Sequence, residues 1–127
     1  MTAAIVALAA AVASAYGGPT DEGRQIAIAL DHGRVTRVAT TIVRYECARF
    51  GDIGPLRVKA TPPMPARLDR RARFAFVTGN RAERIGVAGR MRDSGTITGR
   101  IRVSGTIATG ERCASNVVRF SARASER

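Results

Sequence analysis

Tryptophan is absent from this sequence, lysine and histidine each occur once, and aromatic residues make up 5% of it. A base-stacking platform, a haem pocket and a multi-histidine metal site therefore have little material to be built from. No Gly-x-Ser-x-Gly, no His-x-x-x-His and no phosphate-loop lysine occurs, so the common hydrolase and nucleotide signatures are missing as well. The ten carboxylates fall mainly in turns or beside arginines, and no two announce themselves as the facing pair that a glycosidase requires. An enzyme is not expected from these residues, and no cofactor is implied. A secreted hydrolase with a shallow carboxylate site is the catalytic alternative.

What the chain has in quantity is arginine. Of the 21 basic residues in 127, all but Lys59 are arginine, and the formal charge is +11. A sequence rich in Ala, Gly and Val together with arginine carries the mark of GC-rich coding DNA, so compositional drift accounts for part of this excess. The physical consequence does not depend on its origin: such a domain attracts polyanions, most strongly at low salt. Guanidinium groups present planar donors that match phosphate and carboxylate bidentately. The expected partners are anionic polymers, lipid headgroups or acidic proteins. Specific nucleic-acid binding is not expected, because Tyr16, Tyr45 and the four phenylalanines fall mostly at core-facing positions.

Residues 1–15, MTAAIVALAAAVASA, carry no charged side chain and end in Ala13-Ser14-Ala15, a small-x-small pattern. They read as a secretory signal peptide cut before Tyr16, although no lysine or arginine precedes the apolar run. A membrane span needs roughly 20 apolar residues, and this run stops at Gly17-Gly18-Pro19, so no transmembrane span is expected in the mature protein. A buried Ala-rich helix is the alternative, but nothing caps it. The organisation is then residues 1–15 as signal peptide, 16–123 as one β domain and 124–127 as a flexible tail, with the protein secreted or in a bacterial cell envelope.

Cys47 and Cys113 are the only cysteines, an even count in a chain read as exported, and a disulfide between them is the natural pairing. It would close a loop of about 65 residues, for which the chain-entropy treatment gives roughly 4 kcal/mol. His32 and two distant cysteines do not make a zinc site, and an oxidising compartment argues against a catalytic thiol.

Past Pro19 the hydrophobic period is two. Ile26, Ile28 and Leu30 mark a strand over 24–30, and Asp31-His32-Gly33 turns it into a longer strand from Arg34 to Cys47. There Val35 and Val38 break the alternation and imply a bulge near Arg37. If Cys47 is buried, Val43 and Tyr45 point inward with it. Leu56–Ala60 is a short strand, and Pro62-Pro63-Met64-Pro65 make residues 61–71 a stiff connector between two sheets, or an exposed proline-rich ligand. A meander follows, with strands near 72–78, 84–91, 96–104 and 116–122. Ser94-Gly95-Thr96-Ile97 recurs as Ser104-Gly105-Thr106-Ile107, each read as a glycine turn entering a strand. About seven strands imply an all-β fold, a largely antiparallel β-sandwich or small barrel with one disulfide.

The run Tyr16-Gly17-Gly18-Pro19-Thr20-Asp21-Glu22-Gly23, the motif Arg73-Phe74-Ala75-Phe76, and Gly110-Glu111-Arg112-Cys113 before Val118-Arg119-Phe120-Ser121-Ala122-Arg123 together resemble a group of small, arginine-rich exported bacterial β proteins with two cysteines. The resemblance implies export, the bridge and a β-rich fold. It brings no activity and no catalytic residue.

The candidate binding residues follow from strand faces. Arg84, Arg90 and Arg92 alternate away from Ile85 and Val87, and Arg100 and Arg102 away from Ile101 and Val103, so pairing of these strands would place five guanidiniums on one face. Arg70 and Arg71, with Arg67 and Arg73, form a second cluster relieved only by Asp69. A solvated basic face on a structural module without ligand is the alternative for both.

Overall fold

The computed structural model describes residues 14–125, and every regular element among them is a β-strand. In chain order these are β1 (Ser14–Pro19), β2 (Gln25–Asp31), β3 (Arg34–Ile42), β4 (Tyr45–Cys47), β5 (Gly51–Asp52) and β6 (Leu56–Ala60). The second half carries β7 (Ala66–Arg67), β8 (Arg73–Gly79), β9 (Arg84–Met91), β10 (Thr96–Thr106), β11 (Arg112–Ser115) and β12 (Val118–Ala124). The expected all-β class and antiparallel pairing hold. The expected sandwich of about seven strands does not appear: the twelve strands form one antiparallel sheet, curled into a half-barrel around the core.

The long strand β10 organises this sheet. One of its edges pairs with β9 from Ile97 to Ser104, and β8 follows outside β9. Its other edge is shared, with β12 along Thr96–Ile101 and β11 along Ser104–Thr106. From β12 the sheet continues through β1, β2 and β3 to β6 and β7, while β4 and β5 extend the β11 branch as a wing. A sheet that curls on itself encloses its own core, so the second layer of a sandwich is not needed. Ile26 and Ile28 from β2, Val35, Val38 and Ile42 from β3, and Ile97, Ile101 and Val103 from β10 are almost wholly buried inside it. At Gly99 a Cβ would lie 2.2 Å from the Ala88 carbonyl oxygen, so glycine there permits the tight approach of β9 and β10 where the sheet bends.

Several expectations hold in detail. The β2–β3 hairpin turns through His32 and Gly33, both at positive φ, the backbone of a two-residue turn matched to strand twist. The bulge lies at Thr36, next to Arg37: Ala29 pairs Arg37 and Leu30 pairs Val35. Cys47 and Cys113 are bonded directly across β4 and β11, with Cα atoms 4.1 Å apart.

Others are corrected. The strand expected over 34–47 ends at Ile42, where the chain leaves β6 and restarts as β4 against β11. The Val43 N–H turns to the Glu22 carboxylate at 2.8 Å, and the break resets the phase by one residue. Ile42 is therefore buried and Val43 only half-buried, although Tyr45 and Cys47 face inward as expected. Gly105 is not a turn but lies inside β10, where a Cβ would meet the Ala82 carbonyl oxygen at 2.0 Å; only Gly95 of the repeated pair opens a strand. The connector expected over 61–71 joins two edges of one sheet and itself contributes β7 against β3, and the Thr78 hydroxyl donates to the Thr61 carbonyl.

At the ends, the expected signal-peptide residues 1–13 lie outside the described residues, and Ser14 and Ala15 are paired with Leu30 and Ala29 in β1. The boundary placed at 123 is also passed, because Ala124 pairs with Tyr16 and the Ser125 N–H donates to the Ala15 carbonyl at 2.7 Å. The strand continues there because β1 gives the last residues a partner.

Candidate anion-binding face

Alternation on β8, β9, β10 and β12 sends the large apolar side chains inward, Val77 excepted, and leaves the others on the convex face. Across that face the register sets residues in rows. Arg73 of β8 stands opposite Arg90 of β9, which stands opposite Thr98. In the next row Ala75, Ala88, Arg100 and Arg119 follow one another across the four strands. Beyond that, Val77, Gly86 and Arg102 are aligned. Two arginine pairs, Arg73 with Arg90 and Arg100 with Arg119, are thus direct cross-strand neighbours. Like charges in that position cost about a few tenths of a kcal/mol per pair without a counter-anion.

The five arginines expected on one face are all exposed and outward, and β9 and β10 do pair. They do not gather into one cluster. Arg90, Arg92 and Arg100 line an open groove of about 850 Å³, together with Arg67, Arg73 and Arg119. Arg84 and Arg102 line a second hollow of about 460 Å³, with Arg81 and Arg112. Arg70 and Arg71 are exposed on the turn that follows Asp69 and are not among the lining residues of either. Their expected cluster is divided: Arg73 on β8 and Arg67 on β7 line the groove, while Arg70 and Arg71 do not.

Arg81, Arg112 and Arg119 are the lining arginines that sequence reading missed. The outward direction of Arg119 is readable from its place between Val118 and Phe120. What alternation does not carry is that β12 lies beside β10, which brings Arg119 against Arg100.

The groove has one carboxylate, Asp69. Its Oδ1 accepts the Arg71 and Arg73 backbone N–H groups, both at 2.8 Å, and its Oδ2 accepts from Arg73 Nε at 3.2 Å. The backbone N–H of Arg73 is the largest cause that holds the Asp69 pKa below the ordinary carboxylate range; desolvation opposes it, and the Arg71 N–H and the Arg73 guanidinium add to the lowering. Asp69 is thus committed to the turn that starts β8. Among the described residues, only Arg44 and Arg73 of the arginines lie within ion-pair distance of a carboxylate. Arg92 donates to the Thr98 hydroxyl at 3.2 Å. The groove therefore combines a high density of guanidinium donors with almost no internal anion to answer them.

Elsewhere the residues weighed for chemistry have structural roles. His32 is exposed on the hairpin turn, with Nδ1 2.5 Å from the Asp31 carboxylate. No group of three His, Cys, Asp or Glu side chains suited to a metal ion occurs among the described residues. Glu111 is buried beside the disulfide, and its Oε2 accepts the Arg49 backbone N–H. Phe50 is exposed at the tip between β4 and β5, unlike the buried Phe74 and Phe120. No helix among the described residues is long and apolar enough to cross a membrane.

Comparison of the chain with protein-family models, with curated proteins and with solved structures gives no match.

Proposed function

We propose that this protein is an exported, non-catalytic binding module that captures anionic ligands of the cell envelope or its surroundings on the convex face of β8, β9, β10 and β12. The observation that carries this reading is the groove itself: six arginines around about 850 Å³, with a single carboxylate already engaged by the backbone. Guanidiniums set opposite one another on a rigid sheet repel until an anion bridges them, so a bound phosphate, sulfate or carboxylate removes a standing cost. A hydrolase with a shallow carboxylate site finds less support, since two facing carboxylates are its minimum and Asp69 stands alone in the groove.

Export rests on the apolar segment 1–15, on the Cys47–Cys113 bridge, which suits an oxidising compartment, and on the resemblance to small arginine-rich exported bacterial proteins. Cleavage before Tyr16 leaves Tyr16–Pro19 of β1 to pair with β2, and mass spectrometry of the secreted protein is expected to find Tyr16 as its first residue.

Retention on heparin, and on liposomes of phosphatidylcholine with and without phosphatidylglycerol, across a salt series tests the binding function. The expected result is elution at clearly higher salt than an unrelated protein of equal net charge. Elution no later than that control would show that charge alone acts and would remove the reading.

A further inference from the structure

Next to the arginine groove lies a third hollow, of about 550 Å³ and with a different lining. Arg100 and Arg102 stand on its β10 side, and Val77 of β8 and Val117, just before β12, form apolar walls. Val77 and Val117 are 52% and 45% exposed; among the described residues most other valines and isoleucines are buried, Ile53 being as exposed as Val117. Its floor is the outward side of β9 at Gly86 and Ala88, between Arg84 and Arg90 at either end of that strand. Six residues of strand place those two arginines about 20 Å apart.

Gly86 has no structural reason to be glycine. Of the four glycines in β9 and β10, it alone has no atom within 4 Å of where a Cβ would stand, and its φ is not positive, whereas Gly89, Gly99 and Gly105 are each required by close contacts. Glycine inside a strand weakens it and often marks a place where a ligand approaches the backbone. Arg100 lines both this hollow and the arginine groove, so the two are continuous through one guanidinium.

We infer that the hollow receives the hydrocarbon chain of an acidic lipid whose headgroup is held by Arg100 with Arg90 and Arg119. This rests on the anion-binding reading and narrows it from anions in general to amphiphilic ones. Charge complementarity fixes the headgroup end, and the exposed valines fix the other. A polysaccharide polyanion satisfies the arginines but leaves Val77 and Val117 in water; a lipid satisfies both.

Calorimetric titration of the purified protein tests it with lysophosphatidylglycerol below its micellar concentration, glycerol 3-phosphate and lysophosphatidylcholine. Lysophosphatidylglycerol is expected to bind at least about tenfold more tightly than either of the others. Gly86→Val, which places a side chain in the open hollow, should bring lysophosphatidylglycerol to within about twofold of glycerol 3-phosphate while the heparin elution salt stays unchanged. Val77→Ser with Val117→Ser should do the same by a route independent of how Gly86→Val folds. Equal affinity for lysophosphatidylglycerol and glycerol 3-phosphate, or a preference that survives both variants, would overturn the lipid inference with the anion-binding reading intact. Equal affinity for the zwitterionic lipid would overturn the role of the arginines in it. Absence of heparin retention would be failure of the underlying reading instead.

Discussion

The two halves of the curled sheet share one kind of interior and differ in what they show to solvent. On β2 the residues that alternate with buried Ile26, Ile28 and Leu30 are Gln25, Ala27, Ala29 and Asp31. On β9 and β10 those that alternate with Ile85, Val87, Ile101 and Val103 include Arg84, Arg90, Arg100 and Arg102. Compositional drift toward arginine acts on every exposed position alike. The other half carries exposed cations too, Arg34 and Arg37 on β3 and Arg57 and Lys59 on β6; what sets the β8–β12 side apart is a groove that gathers six arginines, and an anionic ligand there is the local reason proposed. The comparison also separates fold from function: the inward side chains of both halves maintain the same core, and the outward ones are free to differ.

The largest expected effects sharpen the shared part of that comparison. Ile28→Ala in β2 and Ile101→Ala in β10 each remove a side chain that is at most 1% exposed. Both should cost about 3 kcal/mol in urea denaturation, with similar values for the two halves, because cavity formation in a closed core dominates. A large cost in one half alone would mean that the interiors are not equivalent.

The next effect concerns the difference. Replacing Arg90, Arg100 and Arg119 together by serine removes the same charge as replacing Arg37, Arg57 and Lys59 on the other half. Charge-assisted hydrogen bonds run at about 1.5–3 kcal/mol each. The first triple should lose about a hundredfold or more in affinity for a heparin oligosaccharide, and the second no more than about threefold, measured by calorimetry at one fixed salt. Equal losses would return the face to general electrostatics.

Smaller effects follow on stability. Arg100→Ala should leave it unchanged or raise it by about a few tenths of a kcal/mol by relieving Arg119, since the pair is exposed and of like charge. A double-mutant cycle with Arg119→Ala measures the coupling, and a destabilising sign for the single variant would refute the repulsion. Asp69 gives a pH signature. Its pKa is lowered in the folded state, so its contribution is present above the ordinary aspartate range and is lost as pH falls through the lower folded value. The Arg71 and Arg73 amide resonances should therefore move only below the ordinary aspartate pKa, and not at all in Asp69→Asn. Asp52 on β5, lowered chiefly by the Gly54 and then the Tyr45 backbone N–H groups, should behave alike.

How much of this was legible in the sequence follows from what period two encodes. It assigns each side chain to a face, so the inward positions of Ile26, Ile28, Leu30, Ile85, Val87 and Ile101 and the outward positions of the β9 and β10 arginines are readable. The bridge is readable from two cysteines in a chain taken to be exported. Neighbours across strands are set by long-range pairing, which local pattern does not carry, and so the rows that bring Arg73 to Arg90 and Arg119 to Arg100 stayed hidden. Short elements were lost for a related reason: Arg112–Ser115 is too brief to alternate visibly, and Ser14–Pro19 merges into the apolar run before it. At Val43 the pattern misled because the chain changes partners there, and each change of partner can reset the phase.

Arginine-selective NMR, following guanidinium Nε–Hε signals while a heparin oligosaccharide is added, tests the central claim most directly. Arg73, Arg90, Arg100 and Arg119 are expected to shift together and saturate at one ligand concentration, with Arg24, Arg37 and Arg57 nearly still. Small shifts of similar size across all the arginines would contradict it and leave the convex face as a solvated basic surface.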